Sequence, residues 1–237
     1  MSMLPVAILA GGLATRLHPL SEKIPKALIM IAGRPFIFHQ LDLLRRQGVQ
    51  EVVLCLGYLG WQVEAAVGDG SRFGLKVRYA FDGEVLLGTG GALKHALALL
   101  GEQFFVLYGD SYLRCSYRQV QQAFIASQAP ALMTVLCNHD RWDNSNVLFE
   151  ANRLREYNKK APRPEMQHID YGLAVLSAAV LQVYPDGQPF DLACVYQDLS
   201  FNGQLAGFEV NERFYEIGSH HGMAETADFL ANQGVGQ

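Results

Sequence analysis

The sequence predicts an α/β fold built on a doubly wound, mostly parallel sheet. Three observations point to it. Over the first two-thirds of the chain, strand-like and helix-like segments alternate, the rhythm that builds a sheet with helices on both faces. The strand-like runs, such as "PVAILA", "EVVLCLGY" and "FFVLYGD", are continuously apolar, as strands buried on both faces are. Glycines stand where these runs end, at Gly11–Gly12 and at Gly109.

The elements follow in order. Residues 5–10 read as the first strand. Residues 35–47 read as a helix, with Phe36, Ile37, Leu41 and Leu44 on one stripe. Next come a strand over 51–58, a short helix over "GWQVEAAVG" and a strand over "LKVRYAF". "GGALKHALALLG" is a helix opened and closed by glycine. The strand "FFVLYGD", a helix over 117–128 and a strand over 131–137 complete the alternating part. After residue 140 the pattern changes to short strands, "NVLFE", "LREYNK" and "DYGLAVLS", separated by polar turns. This predicts a small β-rich subregion folded over one end of the sheet. A strand, a turn and a closing helix are expected over 214–233. The whole chain, 1–237, reads as one domain. Residues 1–140 form its first half, and 141–237 the second half with the closing helix.

Half of the 237 residues are hydrophobic, enough for a core without staples. The net charge is -4 and the cations are scattered, so no footprint for nucleic acid is present. No apolar run is long enough to span a membrane. The four cysteines include no C-x-x-C pair and read as reduced residues, and no leader precedes the first strand. A cytoplasmic protein is the expectation.

In open α/β sheets ligands bind beyond the carboxyl ends of the strands. Gly11 and Gly12 sit at such an end, followed by Arg16 and Lys26. The stretch is neither G-x-x-x-x-G-K-[ST] nor G-x-G-x-x-G. A glycine-rich turn can nonetheless cradle phosphate oxygens through its N–H groups, with Arg16 as a fork and Lys26 as a point charge. A tight turn with two solvated cations stays open on spacing alone.

The segment "LAGGLATRLHPLSEKIPKALIMIAGRPF" resembles the signature of the sugar-1-phosphate nucleotidyltransferases. "GDGSRFGLKVRY", "LLGTGGALKHAL", "YGDSYL" and "FYEIGS" extend the resemblance in the family's order, over nearly the whole chain. It implies a Rossmann-like fold whose first half binds a nucleotide and whose β-rich second half binds a sugar phosphate. A nucleoside triphosphate and a sugar 1-phosphate would be joined, with Mg²⁺ as cofactor, to give an NDP-sugar and pyrophosphate.

The resemblance also implies roles. Leu9, Ala10, Gly11 and Gly12 would wrap the nucleotide, and Leu87, Gly88, Thr89 and Gly90 would lie against base and ribose. Arg16 would contact the outer phosphates, and Lys26 those near the reacting centre. Asp110 would hold Mg²⁺, with Glu216, where the family usually has aspartate, as second ligand. "LREYNKKAP" is similar to the family's F-x-E-K-P stretch, so Lys160 or Lys159 would take the sugar phosphate. "IDYGLAVL" is similar to its N-A-G-x-Y strand, which makes Asp170, Tyr171 and Gly172 candidates for the sugar wall, with Asn146 close by. The texture of these segments looks most like guanylyltransferases acting on D-glycero-α-D-manno-heptose 1-phosphate, which favours GTP. Mannose 1-phosphate with GTP, or glucose 1-phosphate with UTP or dTTP, are the alternatives. A homo-oligomer stays open. A non-catalytic nucleotide-sugar sensor is the reading from another class; a dinucleotide oxidoreductase is excluded by the glycine pattern.

Overall fold

A computed structural model describes residues 2–13 and 22–233. Strand β1 (Val6–Leu9) is followed by a 3-10 turn, Lys26–Leu28, and by β2 (Met30–Ile31) and β3 (Arg34–Pro35), a small antiparallel ribbon. Then come α1 (Phe36–Arg46), β4 (Glu51–Leu56), α2 (Gly60–Val67), β5 (Lys76–Phe81), α3 (Gly88–His95), α4 (Leu97–Leu100), β6 (Gln103–Tyr108), β7 (Ser111–Tyr112), α5 (Tyr117–Ser127) and β8 (Ala131–Cys137). The second half adds β9 (Val147–Glu150), β10 (Arg153–Tyr157), β11 (His168–Ser177), α6 (Ala179–Gln182), α7 (Leu192–Phe201), β12 (Leu205–Val210), β13 (Tyr215–Glu216) and α8 (His220–Gln233).

The main sheet has nine strands. Its centre is the parallel set β5-β4-β1-β6, and β1 is flanked by β4 and β6 in register, Val6 opposite both Val52 and Phe105. Val6, Ala7 and Ile8 are fully buried, as a central strand covered on both faces requires. Beyond β6 lies β11, antiparallel to it, then β8, antiparallel to β11, and β12, parallel to β8. The β9–β10 hairpin attaches to the start of β11 through Val147 and His168. Strands β9 to β12 thus widen the same sheet instead of capping it, while β13 pairs with β7 in a separate ribbon. β11 is the reason: its ten residues are long enough to pair with three neighbours.

Sequence pattern explains the local structure. On α1, Phe36, Ile37, Gln40, Leu41, Leu43 and Leu44 form the buried face, with Arg45 and Arg46 in the last turn, where cations suit the helix dipole. Gly48, at φ +87°, lets the chain leave α1. Ser116 caps α5 by accepting from Gln119 N, and Asp191 caps α7 by accepting from Ala193 N. The segment expected as one helix over 90–101 starts earlier, at Gly88, and divides at Ala96, whose N–H is shared among the carbonyls of Ala92, Leu93 and Lys94. The cores on the two faces of the sheet are separate. One is centred on Val6, Ile8, Leu54 and Phe105, the other on Ala7, Val53, Phe104 and Val106.

Candidate active site

The carboxyl ends of β1, β4 and β6 converge. Gly109 N donates to Leu9 O at 2.9 Å, and Ala10 N to Cys55 O at 2.9 Å. A Cβ on Gly11 would meet Gly57 N at 2.8 Å, so glycine is required there by close backbone approach. A Cβ on Gly12 would meet nothing within 4 Å among the described residues. Leu9, Ala10, Gly12, Lys26, Ala27, Tyr108, Gly109 and Asp110 line a recess of about 100 Å³ at this convergence. Arg16 lies outside the described residues.

Asp110 follows β6 directly. Its Oδ2 pairs with Lys26 Nζ at 2.7 Å, and Ser111 Oγ donates to its Oδ1 at 3.2 Å. The loop is held from beneath by Gln40, a buried amide on α1 whose Nε2 donates to Tyr108 O at 3.0 Å and Ser111 O at 2.7 Å. Glu216 reaches the same place from β13. Strands β13 and β7 pair Glu216 with Ser111, and Ile217 N donates to Asp110 O at 2.9 Å. A Cβ on Gly218 would sit 2.6 Å from Glu216 Oε2 and 3.4 Å from both Asp110 Oδ2 and Lys26 Nζ, so the three charged groups surround that glycine. Glu216 is also anchored to the start of α8: Ser219 Oγ donates to its Oε1 at 2.7 Å, and Gly218 N donates to its Oε2.

This donor set suits Mg²⁺. Both groups are hard carboxylate oxygens, no sulfur or imidazole intervenes among the described residues, and one or two carboxylates are what Mg²⁺ usually takes from a protein when phosphates supply the rest. Asp110 and Glu216 are the residues that could hold it.

Beyond Asp110 opens a larger cavity of about 430 Å³. Asn146, Lys159, Asp170, Tyr171 and Gly172 line it together with Asp110 and Glu216; Lys160 is not among the lining residues. A bulge shapes its wall. Between Asp170 and Ala174, β11 carries two residues more than β8 opposite, and Gly172 there has φ +99°. Asp170 Oδ1 accepts from Gly172 N at 2.9 Å, and Asn146 Oδ1 accepts from Asp170 N at 3.0 Å. Packing around the Asp170 carboxyl pushes its pKa up to about 6, opposed by the Gly172 N–H and by the nearby Lys159 cation. The Tyr171 ring turns into the core, 6.2 Å from the Phe214 ring centroid.

Residues 87–90 are tied to the segment before α7. Gly90 N donates to Phe190 O at 3.0 Å, Phe190 N donates to Leu87 O at 3.0 Å, and Thr89 Oγ1 donates to Asp191 Oδ1 at 2.8 Å. A Cβ on Gly88 would meet Phe190 O at 2.7 Å. These glycines therefore also serve packing between α3 and α7.

Comparison with known proteins fits this geometry. Residues 6–146 match the family model described as nucleotidyl transferase. The chain belongs to that family. An N-acetylmuramate α-1-phosphate uridylyltransferase of Caulobacter vibrioides is 31% identical over 224 residues, 89% of this chain and 90% of that one. A D-glycero-α-D-manno-heptose 1-phosphate guanylyltransferase of Campylobacter jejuni is 36% identical over 105 residues, 44% of this chain and 47% of the other. The crystal structure of HddC from Yersinia pseudotuberculosis complexed with GMP-PN has a TM-score of 0.79 at 25% identity, covering 96% of this chain and all of that one. The chain spans about half the length of several curated relatives it matches.

Sequence reasoning did not single out Gln40, Tyr108, Asp143 and Phe214 for the site. Gln40 had a signal, a polar residue inside an apolar helical stripe. The others lie on strand ends and loops that only the tertiary fold brings together. Trp142 also stands in the cavity wall, with its ring centroid 5.9 Å from that of Phe214.

Proposed function

We propose that this protein transfers a nucleotidyl group from a nucleoside triphosphate to a sugar 1-phosphate, releasing pyrophosphate. The observation that carries the reading is the meeting of Lys26, Asp110 and Glu216 between two cavities, one beside the glycine turn after β1 and one against the β11 bulge. The nucleotide would occupy the first and the sugar phosphate the second. The sugar phosphate is already ionised near neutral pH, so its oxygen attacks the α-phosphorus without a general base. Catalysis is then positioning and charge neutralisation. Lys26 offsets charge at the reacting phosphate, and Lys159 faces the sugar phosphate. Bound Mg²⁺ would supply further charge neutralisation, held by Asp110 and Glu216.

The sugar proposed is a neutral polyol, and D-glycero-α-D-manno-heptose 1-phosphate with GTP is the specific pair. The Campylobacter relative and the Yersinia structure support it. So does charge. Among the described residues, Asp143 and Asp170 line the larger cavity beside the metal-holding Asp110 and Glu216, against one lining lysine, Lys159. Carboxylates accept from sugar hydroxyls, whereas an additional carboxylate on the sugar, as in N-acetylmuramate, would face like charge. The Caulobacter relative supports the second reading, UTP with N-acetylmuramate 1-phosphate.

The test is pyrophosphate release with Mg²⁺ over a grid of GTP, UTP, dTTP, CTP and ATP against heptose, mannose, glucose and N-acetylmuramate 1-phosphates. Release with GTP and the heptose phosphate supports the specific pair. Release with UTP and N-acetylmuramate 1-phosphate replaces it and keeps the reaction. Nucleotide binding with no release for any pair turns the reading to a sensor.

A further inference from the structure

Outside both cavities, the exposed end of the sheet brings together a second set of metal-ligating side chains. Cys137 ends β8 and lies directly opposite His168 on β11. Glu209 on β12 pairs with Val135, two residues before Cys137, so strand alternation puts all three side chains on one face of the sheet. One donor atom from each of Cys137, His168 and Glu209 falls within 4.8 Å of the other two. His168 Nε2 is 3.1 Å from Glu209 Oε1. A second imidazole is adjacent: His139 Nε2 lies 3.2 Å from Cys137 Sγ.

We propose that Cys137, His139, His168 and Glu209 form a binding site for a thiophilic divalent cation of the Zn²⁺ class, separate from the catalytic centre. The donor chemistry selects the ion. One sulfur, two nitrogens and one oxygen suit Zn²⁺, and around a tetrahedral ion with bonds of about 2.0–2.3 Å such ligands stand roughly 3.3–3.8 Å apart. Cys137, His168 and Glu209 need only side-chain rotation to reach that, and His139 stands beside them at Cys137. Charge also balances, because a thiolate and a carboxylate with two neutral imidazoles offset a divalent ion. Mg²⁺, which prefers oxygen, has no reason to leave Asp110 and Glu216 for this set.

The scaffold is already fixed. Asn138 N and His139 N both donate to Gln167 O, at 2.9 and 3.0 Å, which ties the 137–139 turn to the start of β11. The buried Asn138 amide donates to Asp143 O at 2.6 Å from within that turn. The His168 ring is tilted against Phe149, 5.2 Å between centroids. An ion held here would fasten β8, β11 and β12 together two residues from Asp170, steadying the wall of the larger cavity without touching its contents.

The test uses the full chain, stripped with a chelator and titrated with Co²⁺ as a spectroscopic stand-in, then with Zn²⁺. The expected result is one equivalent of Co²⁺ giving a thiolate-to-metal charge-transfer band that Zn²⁺ abolishes and excess Mg²⁺ does not. Cys137→Ser should lose the band, and His168→Gln should weaken binding by about a hundredfold or more. Zn²⁺ should raise the melting temperature of the wild type and leave that of Cys137→Ser unchanged. Glu209→Gln, at an exposed position, repeats the affinity measurement should either variant fold poorly. The band should survive Asp110→Ala. Absence of a charge-transfer band in the wild type overturns the proposal. So does Zn²⁺ binding that persists in Cys137→Ser and disappears in Asp110→Ala, which would assign the ion to the catalytic carboxylates.

Discussion

Lys26 and Asp110, 84 residues apart in the chain, form an ion pair with Nζ 2.7 Å from Oδ2. Both side chains are partly covered, so the pair is more than a solvated surface contact. Its partners have opposite interests once a cation arrives. The ammonium occupies the carboxylate oxygen that a metal would use, so the lysine must move towards phosphate for both to act.

Replacing Lys26 should therefore have effects of opposite sign. Lys26→Ala removes a competing cation, so Mg²⁺ affinity in the absence of nucleotide should rise. The same change should lower kcat by on the order of 10²–10³, the usual loss for a preorganised charge-stabilising group. Calorimetric Mg²⁺ titration and steady-state kinetics on one preparation test both halves. A fall in metal affinity would mean that the lysine does not compete for Asp110.

Glu216 carries a second role that its position in the motif did not announce. Its carboxylate accepts from Gly218 N and Ser219 Oγ, and Ser219 in turn caps α8 by accepting from Gly222 N. A Cβ on Gly222 would lie 1.7 Å from Glu216 Oε1, so Gly222→Ala must displace that carboxylate. Glu216→Gln should lower stability by about 1 kcal/mol through the weakened hydrogen bonds to Gly218 and to the capping Ser219, besides its effect on turnover. Gly222→Ala should reduce both stability and activity although it deletes no polar group. Urea denaturation and pyrophosphate release measure the two; normal activity in Gly222→Ala would uncouple the carboxylate's placement from catalysis.

The glycine turn, the Gly109–Asp110 end of β6 and the buried parallel strands were legible because each is local: a continuous apolar run followed by glycine says where a strand stops and a ligand can approach. α7 and β12 were not marked out, although Asp191 followed by Leu192, Val195, Tyr196 and Leu199 is a capped helical stripe. The region after residue 140 reads as irregular, and that texture hid the period. The widening of the sheet could not be read at all, because β11 pairs with β6, β8 and β9, all distant in the chain. The link from Glu216 to the capping Ser219 depends likewise on where α8 begins. The "LGTGG" glycines were legible as special positions, but their packing against Phe190 comes from a segment about a hundred residues away.

The Asp170 carboxyl should give the protein a pH signature. Its pKa in the folded state is pushed up to about 6, above the ordinary aspartate value, because the surrounding atoms disfavour the charged form. The folded state therefore holds this proton more tightly than the unfolded one. The contribution of Asp170 to stability is favourable at low pH and is lost as pH rises from about 4 through about 6. Asp170→Asn should be relatively more stable than wild type at pH 7.5, with that advantage shrinking towards pH 4.5. If the charged form accepts sugar hydroxyls, KM for the sugar phosphate should rise more steeply in the wild type than in Asp170→Asn as pH falls below about 6, the variant keeping only the part due to the substrate's own second phosphate ionisation, also at about 6. A melting-temperature difference independent of pH would mean that the carboxyl titrates normally.

Gly11 and Gly12 separate packing from ligand approach. An alanine at Gly11 places its Cβ 2.8 Å from Gly57 N, against backbone that cannot rotate away, so Gly11→Ala should shift β1 or β4 and destabilise the fold by roughly 1–3 kcal/mol. An alanine at Gly12 meets nothing within 4 Å among the described residues, so Gly12→Ala should leave the melting temperature within about a degree of wild type. Gly12 nevertheless lines the recess beside Lys26 and Asp110, where a Cβ would stand in the path of a phosphate approaching the backbone. Nucleotide affinity should therefore fall at least tenfold in Gly12→Ala while the fold is untouched. Thermal melting paired with nucleotide titration distinguishes the two glycines. Unchanged affinity in a stable Gly12→Ala would remove the turn after β1 from the nucleotide site.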